Sequence, residues 1–164
     1  KKALAATELE TLGRKAGGVR VRQYAPANAD ASLKSFLDQA EGTLVCRLST
    51  GWAYGPEYLA DCVRFIQLPN VQILGKACRF QMNGTGEVQV TGAEQENRMV
   101  RTAPSATIAI RKAALNQDDL NTLLKDEQFA RQDESIFSTF RYDCLVVPAT
   151  SPIPSRGWML DAAQ

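Results

Sequence analysis

Thr43 to Gln81 constrains the fold of this chain more than any other stretch. An apolar run, Leu44-Val45-Cys46 with Leu48, gives way to a polar, glycine-containing turn from Ser49 to Gly55. An amphipathic segment follows from Pro56 to Leu68, and a second apolar run opens with Val71, Ile73 and Leu74. Short apolar runs flanking a helical period read as strand, loop, helix and strand, which is one βαβ crossover. Open α/β sheets hold ligands beyond the carboxyl ends of their strands, so Ser49 to Tyr58 is the first place to look for chemistry.

The segments before this crossover repeat its rhythm. Leu4, Ala5, Leu9 and Leu12 keep a helical period from Lys2 to Ala16, which Gly17-Gly18 stops. Val19 and Val21 alternate with Arg20 and Arg22 as a short strand, Pro26 and Asn28 make a turn, and Leu33, Phe36 and Leu37 predict a helix from Asp30 to Gln39. Strands alternating with helices predict a parallel α/β sheet.

Beyond the crossover, Arg79 to Gln81 continues the second strand. Asn83-Gly84-Thr85-Gly86 reads as a hairpin turn into an exposed strand, Glu87 to Val90. Asn83-Gly84-Thr85 also has the spelling of a glycosylation sequon, although a turn is the simpler reason for Asn-Gly. Thr91 to Ala103 is charged and aperiodic, which predicts a mobile loop. Ala106 to Ile110 predicts a strand, Asp118 to Gln132 a helix in one or two pieces, and Ile136 to Phe140 with Cys144 to Val147 a final pair of strands joined across Arg141-Tyr142-Asp143. Pro148, Pro152 and Pro154 end regular structure, with Trp158 and Leu160 docking the tail.

Composition excludes several classes. At 164 residues the size prior gives one domain with a real core, and 45% hydrophobic against 23% charged residues is ordinary for a soluble protein. Nineteen basic against eighteen acidic residues leave a charge of +1, which gives no field for nucleic acid or an anionic membrane. Histidine is absent, so Ser-His-Asp and Cys-His catalysis are closed to the chain alone. The four cysteines, Cys46, Cys62, Cys78 and Cys144, are widely spaced without a C-x-x-C pair, which argues against structural zinc and for a reducing cytoplasm. No run is long enough to span a bilayer. P-loop, G-x-G-x-x-G, G-x-S-x-G and EF-hand patterns are missing.

Tyr54-Gly55-Pro56-Glu57-Tyr58-Leu59, followed by Ile73-Leu74-Gly75-Lys76-Ala77, resembles the middle of the family 2 glycosyltransferases of the GT-A fold. In that family the strand before the first motif ends in clustered aspartates that hold a divalent metal and the diphosphate of a sugar nucleotide. Here those positions read Ser49-Thr50-Gly51-Trp52, and the sequence contains no D-x-D. Val19 to Tyr24 is similar to the family's third strand, Ser105 to Leu115 to its acceptor-side segment, and Phe137 to Arg156 to its closing strands, with Arg156-Gly157 matching the arginine and glycine that often end them. Lys125-Asp126-Glu127-Gln128-Phe129 resembles the "E-D-x-x-F" that begins a helix and supplies the catalytic base.

The resemblance implies a partial GT-A-like mixed sheet flanked by helices that lacks the first strands, with an α/β half at 1–76, an acceptor-side half at 77–157 and a tail at 158–164. It implies Asp126 as base, with Lys125 in place of the preceding glutamate. Read alone, Asp126 is equally a helix cap or dipole partner. Trp52, Tyr54 and Tyr58 either stack on a sugar ring or serve as core and rim, and Lys76 and Arg111, with Arg79 and Lys112, lie near strand ends where they either meet phosphate or solvent. No cofactor is expected, and Mg²⁺ or Mn²⁺ only where an outside segment supplies ligands.

The absent nucleotide-binding strands leave an apolar sheet edge for a protein partner or a further segment of the same protein to cover. The expectation is a cytoplasmic glycosyltransferase-like domain that acts as a structural or interaction module. Its alternative is part of an active nucleotide-sugar transferase whose donor half lies elsewhere.

Overall fold

The computed structural model describes residues 40–49, 52–133, 135–141 and 144–147, together with Ser35, Leu37 and Asp38. The chain divides into two compact units, Lys1–Glu41 and Gly42–Gln164. In the first, Ser35, Leu37 and Asp38 are helical, and the amide of Ala40 closes on the Leu37 carbonyl at 3.3 Å. The helix at Lys2 to Ala16, the strand at Val19, most of the helix at Asp30 to Gln39, and the proline-rich tail with Trp158 lie outside the described residues.

The second unit is mixed α/β and mostly sheet. Its strands are β1 (Leu44–Cys46), β2 (Trp52–Tyr54), β3 (Ile73–Gly75), β4 (Arg79–Met82), β5 (Val88–Thr91), β6 (Arg98–Val100), β7 (Thr102–Pro104), β8 (Ala109–Arg111), β9 (Gln128–Ala130), β10 (Ile136–Ser138) and β11 (Cys144–Val146). Its helices are α1 (Tyr58–Phe65) and α2 (Gln117–Lys125). They build a five-stranded sheet in the order β1-β8-β3-β10-β6, a four-stranded sheet in the order β2-β11-β4-β5, and the pair β7-β9.

The period of two in the five-stranded sheet sorts its side chains to two faces. Ile73, Ile110 and Ile136 pack with Leu123, Phe129, Ile108 and Val45 on the α2 side. Leu74, Ala109 and Phe137 pack with Tyr58, Cys62 and Ile66 of the α1 side. Tyr58, Cys62 and Ile66 recur every four residues along α1 and are buried, while Leu59 and Val63 face outward. Each fully buried aliphatic side chain contributes about 1.5–3 kcal/mol relative to exposure.

β8 runs antiparallel between β1 and β3, joining Val45 to Ile110 and Ile110 to Ile73. β1 and β3 are therefore parallel, as the crossover requires, with one strand inserted between them. The parallel sheet expected from strand and helix alternation is corrected to a mixed one, because the late strand β8 fills that gap.

Three further expectations change. Arg79 to Gln81 does not continue β3: β3 ends at Gly75, and β4 lies in the other sheet. Thr91 to Ala103 is structured, since Gly92 turns the chain with φ of 71°, Asn97 with φ of 55°, and β6 and β7 follow. The last two strands do not pair with each other. β10 lies parallel to β3, and β11 lies parallel to β4 and antiparallel to β2.

α2 starts in a reciprocal capping box, in which the Asp119 amide donates to Asn116 Oδ1 at 2.8 Å and the Asn116 amide donates to Asp119 Oδ2 at 3.1 Å. The buried Asp119 carboxylate also accepts from Arg131 Nη2 at 2.7 Å. The helix ends at Lys125 and the chain turns directly into β9, so Asp126 closes a helix where the resemblance implied that it opens one. Phe129 is fully buried and needs the strand's alternation, with Gln128 and Ala130 outward, to reach the core.

Candidate functional site

Alternation in the four-stranded sheet makes one face of it a floor. Trp52 pairs with Val146, and Val146 with Gln81, so the three form a row across β2, β11 and β4. Their neighbours Ala53, Leu145 and Phe80 point to the opposite face and form a small core with Val147. Arg79, two residues before Gln81, shares the row's face and sets its guanidinium 5.9 Å from the centre of the Trp52 ring.

This floor meets the end of the five-stranded sheet at a pocket of about 440 Å³. Arg47 and Ser49 come from the exit of β1, Pro104 from the end of β7 and Ala106 from the turn after it, and Glu127 and Gln128 from the entry to β9. The size suits a small ligand. The lining carries two guanidinium groups and one carboxylate, together with a hydroxyl, two primary amides and an indole.

The wall is held by hydroxyls. Tyr54 donates from its hydroxyl to the Ala106 carbonyl at 2.8 Å and accepts from the Ser49 amide at 2.9 Å, bridging two sides of the pocket. Burial pushes its phenol up to about 12. The Tyr58 hydroxyl donates to the Thr107 carbonyl at 3.1 Å, and Thr107 Oγ1 accepts from the Lys76 amide at 2.9 Å while donating to Pro104. Tyr54 and Tyr58 touch each other with ring centres 4.8 Å apart.

Of the residues singled out by sequence, Ser49, Trp52 and Arg79 line the pocket. Tyr54 builds the pocket wall through its hydroxyl, and Tyr58 is 1% exposed within the α1 core. Lys76 is buried, donates from Nζ to the Phe140 carbonyl and lies 5.7 Å from the centre of the Tyr58 ring. Arg111 sits at the far end of β8, opposite Leu44, and donates to the carbonyls of Ile66 and Val71. It closes the carboxyl end of α1 and is remote from the pocket in register. Asp126 is exposed at the end of α2, with its amide bonded to the Thr122 carbonyl at 3.0 Å. Its neighbour Glu127 lines the pocket instead.

Arg79 is legible in the sequence as a cation at a strand end, whereas Arg47, Gln81, Glu127 and Gln128 carry no site motif of their own. The available signals were the charge of Arg47 inside the apolar run Leu44 to Leu48 and the alternation of Arg79-Phe80-Gln81-Met82. Nothing local announced that β9 would bring Glu127 to this place.

Burial lowers the pKa of Arg79, whose Nη1 donates to the Ala77 carbonyl at 3.1 Å. Its Nε is buried without a hydrogen-bond partner among the described residues. Mg²⁺ and Mn²⁺ take several hard oxygen ligands, preferably carboxylates. One carboxylate beside two guanidinium groups does not fit either ion. Elsewhere among the described residues no three Cys, Asp or Glu side chains converge as a metal site, and no described helix is long and apolar enough to cross a membrane. Comparison of the chain with protein-family models, curated proteins and solved structures gives no match.

Proposed function

We propose that Gly42–Gln164 is a partial GT-A-like, glycosyltransferase-like domain that works as a binding and interaction module, without metal-dependent transfer of its own. The observation that carries this reading is the pocket at the exit of β1. It lies where ligands gather in α/β sheets, yet Ser49 stands at the implied aspartate position, beside Arg47 and Arg79. Positive charge that a transferase takes from a bound metal is supplied here by fixed guanidinium groups.

Among the described residues β1 is the outer strand of the five-stranded sheet. That position supports a protein partner or a further segment of the same protein along its edge. Free thiols at Cys46, Cys62, Cys78 and Cys144 support a cytoplasmic setting.

Calorimetric titration of the 164-residue chain with UDP- and GDP-sugars, with and without Mn²⁺, tests the reading. Binding that does not respond to Mn²⁺, or no binding, is the expected result. Mn²⁺-dependent binding accompanied by sugar transfer that Asp126→Asn abolishes would replace it with the transferase reading.

A further inference from the structure

We infer that the pocket between Trp52 and Glu127 binds an acidic monosaccharide, a sugar ring carrying one carboxylate or phosphate, without a metal. The inference stands on the pocket alone and does not depend on the glycosyltransferase-like reading.

Charge sets the first requirement. With Arg47 and Arg79 against Glu127, the lining is left with one net positive charge. Arg47 is held in place by the carbonyls of Leu123 and Asp126, and Arg79 by the carbonyl of Ala77, so both cations are positioned before any ligand arrives. Among the described residues the Glu127 carboxylate forms no ion pair, so neither cation is neutralised by it. Arg79 lines the pocket, and an anionic oxygen is the acceptor that a guanidinium edge takes best.

The remaining groups describe the body of the ligand. Trp52 offers a half-buried indole on the pocket floor, stiffened by Arg79, and the apolar face of a pyranose suits such a ring. Ser49, Gln81, Gln128 and Glu127 supply hydroxyl, amide and carboxylate groups around it, a set that both donates to and accepts from sugar hydroxyls. An extended polyanion is disfavoured by Glu127, and a flat apolar ligand would leave these polar groups unpaired. The volume of about 440 Å³ accommodates one such ring with its acidic group.

The test is titration of the full chain in EDTA with glucuronate, glucose 6-phosphate, glucose and inorganic phosphate, followed by Trp52 fluorescence in a Trp158→Phe background and by calorimetry. The expected result is binding of glucuronate or glucose 6-phosphate at least about tenfold tighter than both glucose and phosphate. Which of the two acids binds tighter identifies the carboxylate or the phosphate as the source of the charge.

Arg79→Gln should weaken the acid sugar about tenfold or more, and by a clearly larger factor than it weakens glucose. Gln128 is exposed, so Gln128→Ala keeps the fold and should weaken all the sugars but not phosphate. Equal affinity for glucose and the acid sugars, equal affinity for phosphate and glucose 6-phosphate, no binding of any of the four, or binding indifferent to both substitutions would each overturn the inference. A nucleotide sugar bound through Mn²⁺ would overturn the module reading while leaving this one to its own titration.

Discussion

Arg47 Nη1 donates to the carbonyl of Asp126 at 2.8 Å and also to the carbonyl of Leu123, so the exit of β1 is fastened to the end of α2 across 79 residues of sequence. The last carbonyls of a helix have no partner within it and carry its negative pole. A guanidinium placed there satisfies two of them and adds a favourable charge. Arg47→Met should therefore cost about 1–2 kcal/mol, read as a lower urea midpoint, and speed amide exchange at Asp126. An unchanged midpoint with unchanged exchange would show that these bonds are incidental.

Arg111 caps the end of α1 through the carbonyl of Ile66 and also donates to the Val71 carbonyl in the loop before β3. Sequence alone left it open as a phosphate ligand, and its position separates the two roles. Arg111→Met is expected to lose about 1–2 kcal/mol of stability while binding at the pocket stays within twofold, a change of roughly 0.4 kcal/mol. A large loss of affinity without loss of stability would return Arg111 to a ligand-binding role.

What the sequence revealed, and what it hid, follows from the range of the interactions. Local periodicity located β1, α1, β3 and the hairpin after Met82, because each announces itself within a few residues. Ser49 and Trp52 were also legible, since a polar loop after a first strand is where a ligand site is expected. The insertion of β8 between β1 and β3, the separation of β10 from β11, and the strand at Phe129 were not. They depend on which distant strand completes a ladder, and no local pattern carries that information. Tyr58 and Lys76 misled for a related reason: each is amphipathic, and only the neighbouring turn at Ser105–Thr107 and the Phe140 carbonyl drew its polar end inward.

Gly75 sits at a close approach within the core. A Cβ there would stand 2.6 Å from Ala103 Cβ and 3.2 Å from both Ile108 Cδ1 and Ile136 Cγ2. Those neighbours belong to buried positions of three segments, and none can retreat without disturbing the sheet. Gly75→Ala should lose about 1–3 kcal/mol, seen as a fall in the urea midpoint. A stabilised variant would mean that β3 and β7 have room to separate.

Glu96 and Arg141 provide the pH dependence that can be assigned a sign. Glu96 accepts from Arg141 Nε at 3.1 Å and from the Arg141 amide at 2.9 Å, and its carboxylate also pairs with Nη2, which ties the turn before β6 to the chain leaving β10. The guanidinium beside it holds the carboxyl below its ordinary value of 4.5. A carboxyl with a depressed folded pKa stabilises the fold fully above its unfolded pKa and loses that contribution as pH falls through the folded one. Wild type should therefore exceed Glu96→Gln in stability at pH 7 by about 1 kcal/mol or less, because the pair still touches solvent. The gap should narrow as pH falls below 4.5, and raised salt should shrink it at neutral pH. Parallel unfolding curves for the two proteins from pH 7 to pH 3 would show that the pair contributes no proton-linked stability.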